Sequence, residues 1–454
     1  MKFSFFDPRR LEFNSLFYLI AIVVVYFVLI ASRVFAHNTY ANAALQDLFG
    51  LLDGAYRVHS GQLIHQDFST IIGLVNYCLP AIFMSFGAEP VASLHYSEAL
   101  LVFVALLIFL YIQRTRLDNF VSLLLGVWIP VVLLARMAFG DRPYNVTEAM
   151  WYNRHCVVYL TLLLLLFIPP SKPTPRYFVI DGILYGIICA FLFYSKITFG
   201  IVAIGFFPLL LIRKSAPVGQ NCVVVFVFAL VFLLIAFIVE FIYGIRFAWW
   251  RDLHMALLSS QQNPIHHSVD VLFANLPELA ATIFIPAYIL LRQNKLDFSM
   301  LMFGIFVTMS SLLLVVYSQE VSGLFLPIAF SFVTLSVLRA DLDYNDLWNH
   351  KRLQYLFVST ITGFVLLAEA YPLAVNIVIA TYKSAHKSAT RAPIVGDNRV
   401  LKDIIVDAPS NFDLAIIKNN SVENMSRLDV LSFARYTRPS NLYDNLIAGN
   451  MQII

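Results

Sequence analysis

The residues best suited to chemistry lie close together near the beginning of the chain. Asp53, Tyr56 and Arg57 are spaced i, i+3 and i+4, so they share one face if this stretch is helical. His65 and Asp67 follow a few positions later. An acid beside a base, with an imidazole nearby, is suited to proton removal or anion binding. The same pattern also fits an ordinary Asp–Arg pair in a solvated loop.

The amino-acid composition of the chain is typical of a membrane protein. Hydrophobic residues make up 59% of the 454 and charged residues 13%, against about 45–50% and about 25% in soluble domains. The mean hydropathy is +0.75, so the chain is predicted to be an integral membrane protein with many spans. A net charge of +3 excludes the strongly basic class of nucleic-acid binders. The four scattered cysteines fit neither a disulfide framework nor a zinc site.

Apolar runs long enough to cross a bilayer recur along the chain. A span needs about 20 apolar residues, and the sequence contains about eleven apolar runs near this length. They are 15–36, 91–112, 119–138, 155–170, 177–194, 197–212, 221–243, 271–291, 297–317, 322–338 and 353–380. The first run is too long for a signal-peptide core, so it is interpreted as a retained span.

Basic residues indicate the orientation of these spans. Lys2, Arg9 and Arg10 precede the first span, which places the amino terminus in the cytoplasm by the positive-inside rule. The alternate turns that then face inward are all short and basic. They carry Arg114/Arg116, Lys172/Arg176, Arg213/Lys214, Arg292/Lys295 and Arg339/Lys351/Arg352. An odd number of spans puts the carboxyl terminus outside, together with the first loop.

The elements that must position the cluster are therefore outward loops and juxtamembrane helices. Within the first outward loop, 37–90, the apolar stretch 71–86 is predicted to be a surface helix, because counting it as a span would turn the basic loops outward. A second surface helix is predicted in 245–268, where Trp249 and Trp250 suit the membrane interface. The fold class is thus an all-α polytopic membrane protein: a transmembrane domain, 1–380, with a small extracytoplasmic region, 381–454.

Motifs in the first loop resemble a known superfamily. The loop contains Asp-x-x-Tyr at 53–56 and Gly-x-x-x-His-x-Asp-Phe at 61–68, directly after a retained span. This order resembles the membrane glycosyltransferases of the GT-C superfamily, above all the bacterial branch related to the protein O-mannosyltransferases and lipid A aminoarabinose transferases. The family often has Pro-Pro-Gly after Asp-Phe, whereas residues 69–73 read Ser-Thr-Ile-Ile-Gly and keep only the glycine. The resemblance covers roughly residues 10–340.

Three later segments extend the resemblance. Residues 181–200 resemble a family segment in which a lysine, here Lys196, closes the outward turn between two spans. Residues 151–155, Trp-Tyr-Asn-Arg-His, resemble an outward Tyr-Asn-Arg at the mouth of a span. Residues 317–327 occupy the place of a polar or basic outward turn before Leu-Pro, and Glu320 departs from the basic version.

The resemblance implies an inverting glycosyltransferase that takes a sugar from a polyprenyl-phosphate carrier on the outer face. The acceptor is a lipid, a glycan or a protein. Such a reaction needs a carboxylate to remove the acceptor proton, cations to stabilise the leaving phosphate and an apolar groove for the lipid. Asp53 is the expected base, Asp67 is the alternative base or an orienter of the acceptor, and Asp47 is the third candidate.

The remaining roles fall on residues at the mouths of the spans. Arg57, Arg154 and Lys196 are the expected cations for the donor phosphate, although Arg154 and Lys196 are equally suited to snorkel to the interface. Five further side chains are expected to bind substrate, or to be loop surface. They are Tyr56, His65, Tyr152, Asn153 and Glu320.

Two other functions fit a polytopic, outward-acting chain: a transporter or flippase, and a polysaccharide polymerase or ligase. No related halves are found, and the acids gather in an outward loop and not at mid-membrane, which favours the enzyme. His266 and His267 have no third ligand nearby, so a divalent metal is possible but not indicated. No cofactor is expected, and nucleic acid is not a predicted partner. The expected location is the bacterial plasma (inner) membrane.

Overall fold

The structure is a computed structural model of the chain. It describes residues 8–35, 39–41, 45–70, 72–117, 119–137, 142–148, 150–171, 174–213, 218–259, 276–318, 326–339, 350–385 and 404–405. About 82% of these residues are helical, and the described strands are two residues long. The predicted all-α class is confirmed for the described part of the chain.

The described residues form sixteen α-helices, numbered in chain order. They are α1 (Pro8–Val34), α2 (Leu45–His59), α3 (Val75–Ser85), α4 (Pro90–Arg116), α5 (Asn119–Leu134), α6 (Trp151–Leu165), α7 (Pro175–Ser195), α8 (Ile197–Gly205), α9 (Phe207–Ile212), α10 (Val218–Phe237), α11 (Trp249–Ser259), α12 (Leu276–Leu279), α13 (Ile285–Arg292), α14 (Phe298–Ser318), α15 (Leu326–Arg339) and α16 (His350–Ala385). The π-helical turn Ile238–Ile242 follows α10, and a second one, Ala280–Phe284, joins α12 to α13. The strands are β1 (Thr39–Tyr40) and β2 (Ile404–Ile405).

Five of the described helical segments are long and apolar enough to cross a membrane. They lie in α1, α4, α7, α10 with its π-helical turn, and α16. The segment of α10 is only 11% buried within the protein, whereas the segments of α4 and α7 are 61% buried. Because the exposed surface of α10 is almost wholly apolar, lipid is its natural surrounding. The count of eleven spans stays a prediction, as does the sidedness of the termini.

Helices also occur in both segments that were expected to lie on the membrane surface. The first contains α3, and the second begins with α11. Residues 260–275 lie outside the described part of the chain. The position of α3 and α11 relative to the bilayer stays a prediction.

Small residues bring the central helices close together. A Cβ added at Gly182 would lie 2.7 Å from Cβ of Val227, and one added at Gly186 would lie 2.6 Å from Cβ of Val231. The two glycines therefore let α7 pack directly on α10, as small residues do in membrane helix pairs. A Cβ at either position would force the two helices apart.

Buried ion pairs join the ends of several helices. Arg116, at the end of α4, pairs with Asp181 in α7, and both side chains are fully buried. At the other end of α4, Glu98 pairs with Arg33 of α1. Nη2 of Arg33 also lies 2.9 Å from Oε1 of Glu148, in the segment before α6. Removing one member of such a pair leaves the other buried without a partner, so these contacts hold the helices in their relative positions.

The segment after α1 is tied to the cluster that contains Arg33 and Glu148. Nη2 of Arg136 donates to the carbonyl of Tyr40 in β1 at 2.6 Å, and its Nε lies 2.6 Å from Oε1 of Glu148. β1 pairs in parallel with β2, with Thr39 opposite Ile404. Residues 404–405, in the region after 381, therefore pair with the segment that follows α1.

Candidate functional site

The acid and base of the first loop pair as their spacing predicts. α2 places Nε of Arg57 3.1 Å from Oδ2 of Asp53, so the shared helical face is confirmed. Nη1 of Arg57 lies 3.4 Å from Oε1 of Gln62, and the guanidinium stands 5.2 Å from the ring centroid of Phe68. Arg57 is buried and Asp53 is partly exposed, with 17% of its side chain accessible. Tyr56, on the same turn, is exposed.

α2 lies directly against α3. A Cβ at Gly54 would stand 2.2 Å from Cε1 of Tyr77, so only glycine permits this approach. The hydroxyl of Tyr77 is in turn 3.0 Å from Oγ1 of Thr70. Asp47 lies in the first turn of α2, where burial raises the pKa of its carboxyl above the ordinary value. A carboxyl with a raised pKa is more readily protonated, which is a property of general acids and bases.

Asp67 closes the turn that follows α2. Its Oδ2 accepts a hydrogen bond of 2.6 Å from the backbone N–H of Leu63, and its side chain is exposed. The backbone N–H of His65 donates to the carbonyl of Phe68 at 2.9 Å. Asp67 therefore shapes the turn that carries His65 and is also accessible to a substrate.

His65 forms a buried pair with an acid from a distant part of the chain. Its Nδ1 lies 2.9 Å from Oδ2 of Asp252 in α11, and both side chains are buried. The same oxygen accepts from the backbone N–H of Thr70 at 2.9 Å. Arg251 donates to the carbonyl of His65 at 2.6 Å. His65 has φ of +65°, a conformation that is uncommon for a residue with a side chain.

Sequence analysis assigned no role to Asp252 and did not predict this pair. The two residues are 187 positions apart, and no motif relates them. The sequence signal that could have indicated Asp252 is an acid in an amphipathic helix that begins with two tryptophans. The same signal is typical of a helix that only lies at the membrane interface.

A cleft opens beside this pair. It is small, with a cavity volume of about 40 Å³. The first loop contributes two polar side chains, His65 and Thr70, and the other walls are almost wholly apolar or aromatic. The full lining is His65, Thr70, Gly73, Leu74, Phe193, Tyr194, Ile197, Ile245, Trp249 and Leu253. A largely apolar cleft with a few convergent polar groups is the usual form of a small-molecule site.

Lys196 lies at the junction of α7 and α8. In the sequence it is between Tyr194 and Ile197, which line the cleft. Its Nζ donates to Oδ1 of Asn153 at 2.8 Å and stands 5.2 Å from the ring centroid of Tyr152. The first loop reaches the same junction, because the N–H of Gly73 and the side-chain amide of Asn76 both donate to the carbonyl preceding Lys196, at 3.0 and 2.8 Å. Three predicted site residues thus meet beside the first loop.

Glu240 fixes another part of the cleft wall. Its Oε1 accepts hydrogen bonds of 2.9 Å from the hydroxyl of Tyr194 and from the indole N–H of Trp249. Its Oε2 accepts from the backbone N–H of Phe247 at 2.6 Å. Glu240 lies in the π-helical turn after α10, a type of local distortion that is common at functional sites. Its carboxylate therefore orients two lining side chains.

Arg154 lies elsewhere. It is buried, and its Nη1 donates to the carbonyl of Met137 at 2.8 Å, next to the cluster that contains Glu148. Of the predicted site residues that the structure describes, His65 lines the cleft, whereas Asp53, Asp67, Arg57, Arg154 and Lys196 do not. The convergence of Arg57, Arg154 and Lys196 on one phosphate stays a prediction.

Glu320, His266 and His267 lie outside the described residues. Within the described part of the chain, no group of three or more His, Cys, Asp or Glu side chains is placed to hold a metal ion.

No known protein family, curated protein or solved structure matches the chain. The fold therefore defines the class: an all-α protein with several helices long and apolar enough to cross a membrane. In the site, the first loop, the α7–α8 junction and the amphipathic helix α11 contribute residues to one cleft.

Proposed function

We propose that the protein is an inverting glycosyltransferase of the bacterial plasma membrane. It transfers a sugar from a polyprenyl-phosphate donor to a lipid, glycan or protein acceptor on the outer face. The observation that supports this proposal is that the first loop, the α7–α8 junction and α11 each contribute residues to the lining of one apolar cleft. Segments far apart in the sequence contribute to one site, as expected of an active site built at helix ends.

The first loop supplies the base. Asp53 is partly accessible and is held by Arg57 at 3.1 Å, so its carboxylate is oriented as well as charged. In the transfer, Asp53 takes the proton of the acceptor hydroxyl while the hydroxyl oxygen bonds to the sugar carbon. The bond from that carbon to the phosphate oxygen breaks, and its electron pair leaves with the phosphate. Asp67, exposed on the following turn, is the alternative base.

The helix junction supplies a cation for the leaving group. Lys196 is oriented by Asn153 and Tyr152, and in the sequence it lies between Tyr194 and Ile197, which line the cleft. A positioned ammonium stabilises the charge that develops on the phosphate. The apolar walls suit the part of the lipid carrier next to the phosphate.

A transfer assay tests the proposal. Purified full-length protein is mixed with a panel of radiolabelled polyprenyl-phosphate sugars and a membrane extract of acceptors. We expect Asp53→Asn to lower the transfer rate by about 10²-fold or more, as loss of a general base does. Asp297→Asn is the matched control, since Asp297 only accepts hydrogen bonds at the start of α14 and asparagine can replace it there.

Loss of transfer only in Asp67→Asn would move the base from Asp53 to Asp67. A folded wild-type sample that consumes no donor would contradict the proposal and favour a transporter or a polymerase.

A further inference from the structure

A second cavity lies beside the buried cluster around Glu148 and shares no lining residue with the cleft at His65. Residues at the end of α1, around the end of α5 and near the end of α16 form its walls, and its volume is about 20 Å³. Two arginines and three hydroxyl groups make up its polar lining. They belong to Ser32, Arg33, Arg136, Thr381 and Ser384. Cationic and hydroxyl donors around one small space are suited to an oxyanion.

Arg33 provides the first donor in this cavity. Its Nε and Nη2 are bonded to Glu98 and Glu148, and only 7% of its side chain is accessible. No acceptor for its Nη1 occurs in the described part of the chain, and Nη1 is not one of the fully enclosed atoms. A guanidinium only donates hydrogen bonds, and a buried donor normally has a partner. A ligand that enters the cavity can therefore supply the acceptor for Nη1.

Ser384 provides the second donor. Its Oγ accepts from the backbone N–H of Tyr40 at 3.2 Å and lies 3.5 Å from Nη1 of Arg136. A hydroxyl that accepts two hydrogen bonds still has its own hydrogen to donate. The structure gives this hydrogen no acceptor among the described residues, although Ser384 is buried. Arg136 holds the hydroxyl in place, and the hydrogen of Ser384 is available in the cavity.

The charge of the neighbouring cluster favours an anion. Arg33 and Arg136 both lie within electrostatic reach of the carboxylate of Glu98. The same two arginines and Arg154 lie within reach of Glu148. Among the groups of this cluster that the structure describes, three guanidinium charges thus face two carboxylates. Because a buried charge is costly without a compensating one, an anion in the cavity lowers the free energy of the cluster.

The surroundings of the cavity indicate that the anion is attached to an apolar chain. α1 and α16 both pack against α5, and they contribute Leu29 and Ile377 to the lining. The next residues along the two helices, Val28 and Val378, are exposed apolar side chains. Such surfaces suit lipid. A cavity of about 20 Å³ holds one water-sized group, so one oxygen of a headgroup can enter it while the lipid chains lie along α1 and α16.

We propose that this cavity binds the phosphate of an anionic lipid. Arg33 and Ser384 donate hydrogen bonds to one phosphate oxygen, and Arg136 is a positioning residue that holds Ser384. The inference does not depend on the proposed function, because this site and the cleft at His65 share no residue.

Binding of three probes to the full-length protein in a non-ionic detergent tests the proposal. Dioleoyl phosphatidate has both a phosphate and lipid chains, dioleoylglycerol has the same chains without the phosphate, and inorganic phosphate has no chains. We expect wild type to bind dioleoyl phosphatidate at least about tenfold more tightly than dioleoylglycerol, as charge-assisted hydrogen bonds predict. Inorganic phosphate at the same concentration should not displace the lipid.

Matched variants locate the site. Thr381→Phe narrows the cavity from an exposed wall position and removes no charged group, so the preference for phosphatidate should fall towards one. Thr360→Phe, at an exposed position of the same helix outside the lining, should keep the preference. Ser384→Ala should lower the preference severalfold. Ser359→Ala is its control, because the hydroxyl of Ser359 donates to the carbonyl of Tyr355 in its own helix.

Three results would overturn the proposal. Equal binding of phosphatidate and dioleoylglycerol by wild type would leave the cavity to water alone. Displacement of phosphatidate by an equal concentration of inorganic phosphate would show a site for the free anion and not for a lipid. A preference that is unchanged in both Thr381→Phe and Ser384→Ala would place the phosphate elsewhere on the protein. The wild-type titrations do not depend on the folding of any variant.

Discussion

Individual side chains in this site combine structural and chemical roles. Asp67 accepts a backbone hydrogen bond that closes a turn, and it remains exposed. Asp53 is charged, oriented by Arg57 and partly accessible. Asp252 is buried beneath His65 and accepts from Thr70. The three carboxylates differ in exposure and partners, and this difference is the physical basis for assigning them different tasks.

Glu148 gives a prediction about pH at the residue scale. Burial raises the pKa of its carboxyl, but the charges of Arg136, Arg33 and Arg154 together lower it by more. The pKa of Glu148 therefore lies well below the ordinary 4.5. Glu98 is the other acid of this cluster, and it pairs with Arg33. A carboxyl whose pKa is lower in the folded than in the unfolded state stabilises the fold fully at pH values above its unfolded pKa. This stabilisation is lost as the pH falls from the unfolded pKa towards the folded pKa.

We therefore expect Glu148→Gln to lower the free energy of unfolding by about 3–5 kcal/mol at pH 7, since two arginines lose a buried partner. The difference from wild type should shrink as the pH is lowered below 4.5. Denaturant unfolding in detergent at pH 7, 5 and 4 measures it. A difference that is constant over this range would contradict the assignment of the shift to Arg136 and Arg33.

At the scale of elements, hydropathy and charge predicted the described helices well and their contacts poorly. The runs at 91–112 and 177–194 are α4 and α7, because a long apolar run leaves the backbone no alternative to helix in a bilayer. The spacing of Asp53 and Arg57 predicted a local pair, which the structure confirms. The pairing of His65 with Asp252 could not be predicted, since it depends on how distant helices pack.

The first loop packs against the α7–α8 junction at Gly73, where only a glycine fits. A Cβ there would lie 2.1 Å from the carbonyl oxygen of Tyr194, which belongs to the backbone and cannot rotate away. We expect Gly73→Ala to break the hydrogen bonds from the first loop to the carbonyl of Ser195 and to lower stability by about 1–3 kcal/mol.

Thermal unfolding in detergent measures this effect. Gly219→Ala is the matched control, because a Cβ at Gly219 meets nothing within 4 Å, and its stability should be equal to or higher than that of wild type. If Gly73→Ala melts like wild type and keeps its transfer activity, the contact does not build the site.

At the scale of the whole molecule, polar chemistry is confined to a few places in an apolar bundle. One buried pair, Arg116 with Asp181, joins α4 and α7, and a separate cluster around Glu148 joins the other end of α4 to α1. Residues of the first loop and of α11 line the cleft. The exposed surface of α10 is apolar and suits a lipid surrounding, and the proposed function places the cleft within reach of a substrate that is carried by a lipid. That arrangement is the physical core of the proposed transferase.

The anomeric configuration of the product tests this account most directly. Purified protein is given a polyprenyl-phosphate sugar of known configuration, and the linkage in the product is determined by NMR. The account predicts transfer with inversion, since Asp53 activates the acceptor for direct displacement of the phosphate. A product that retains the donor configuration, or a folded protein that makes no product from any donor in the panel, would contradict it.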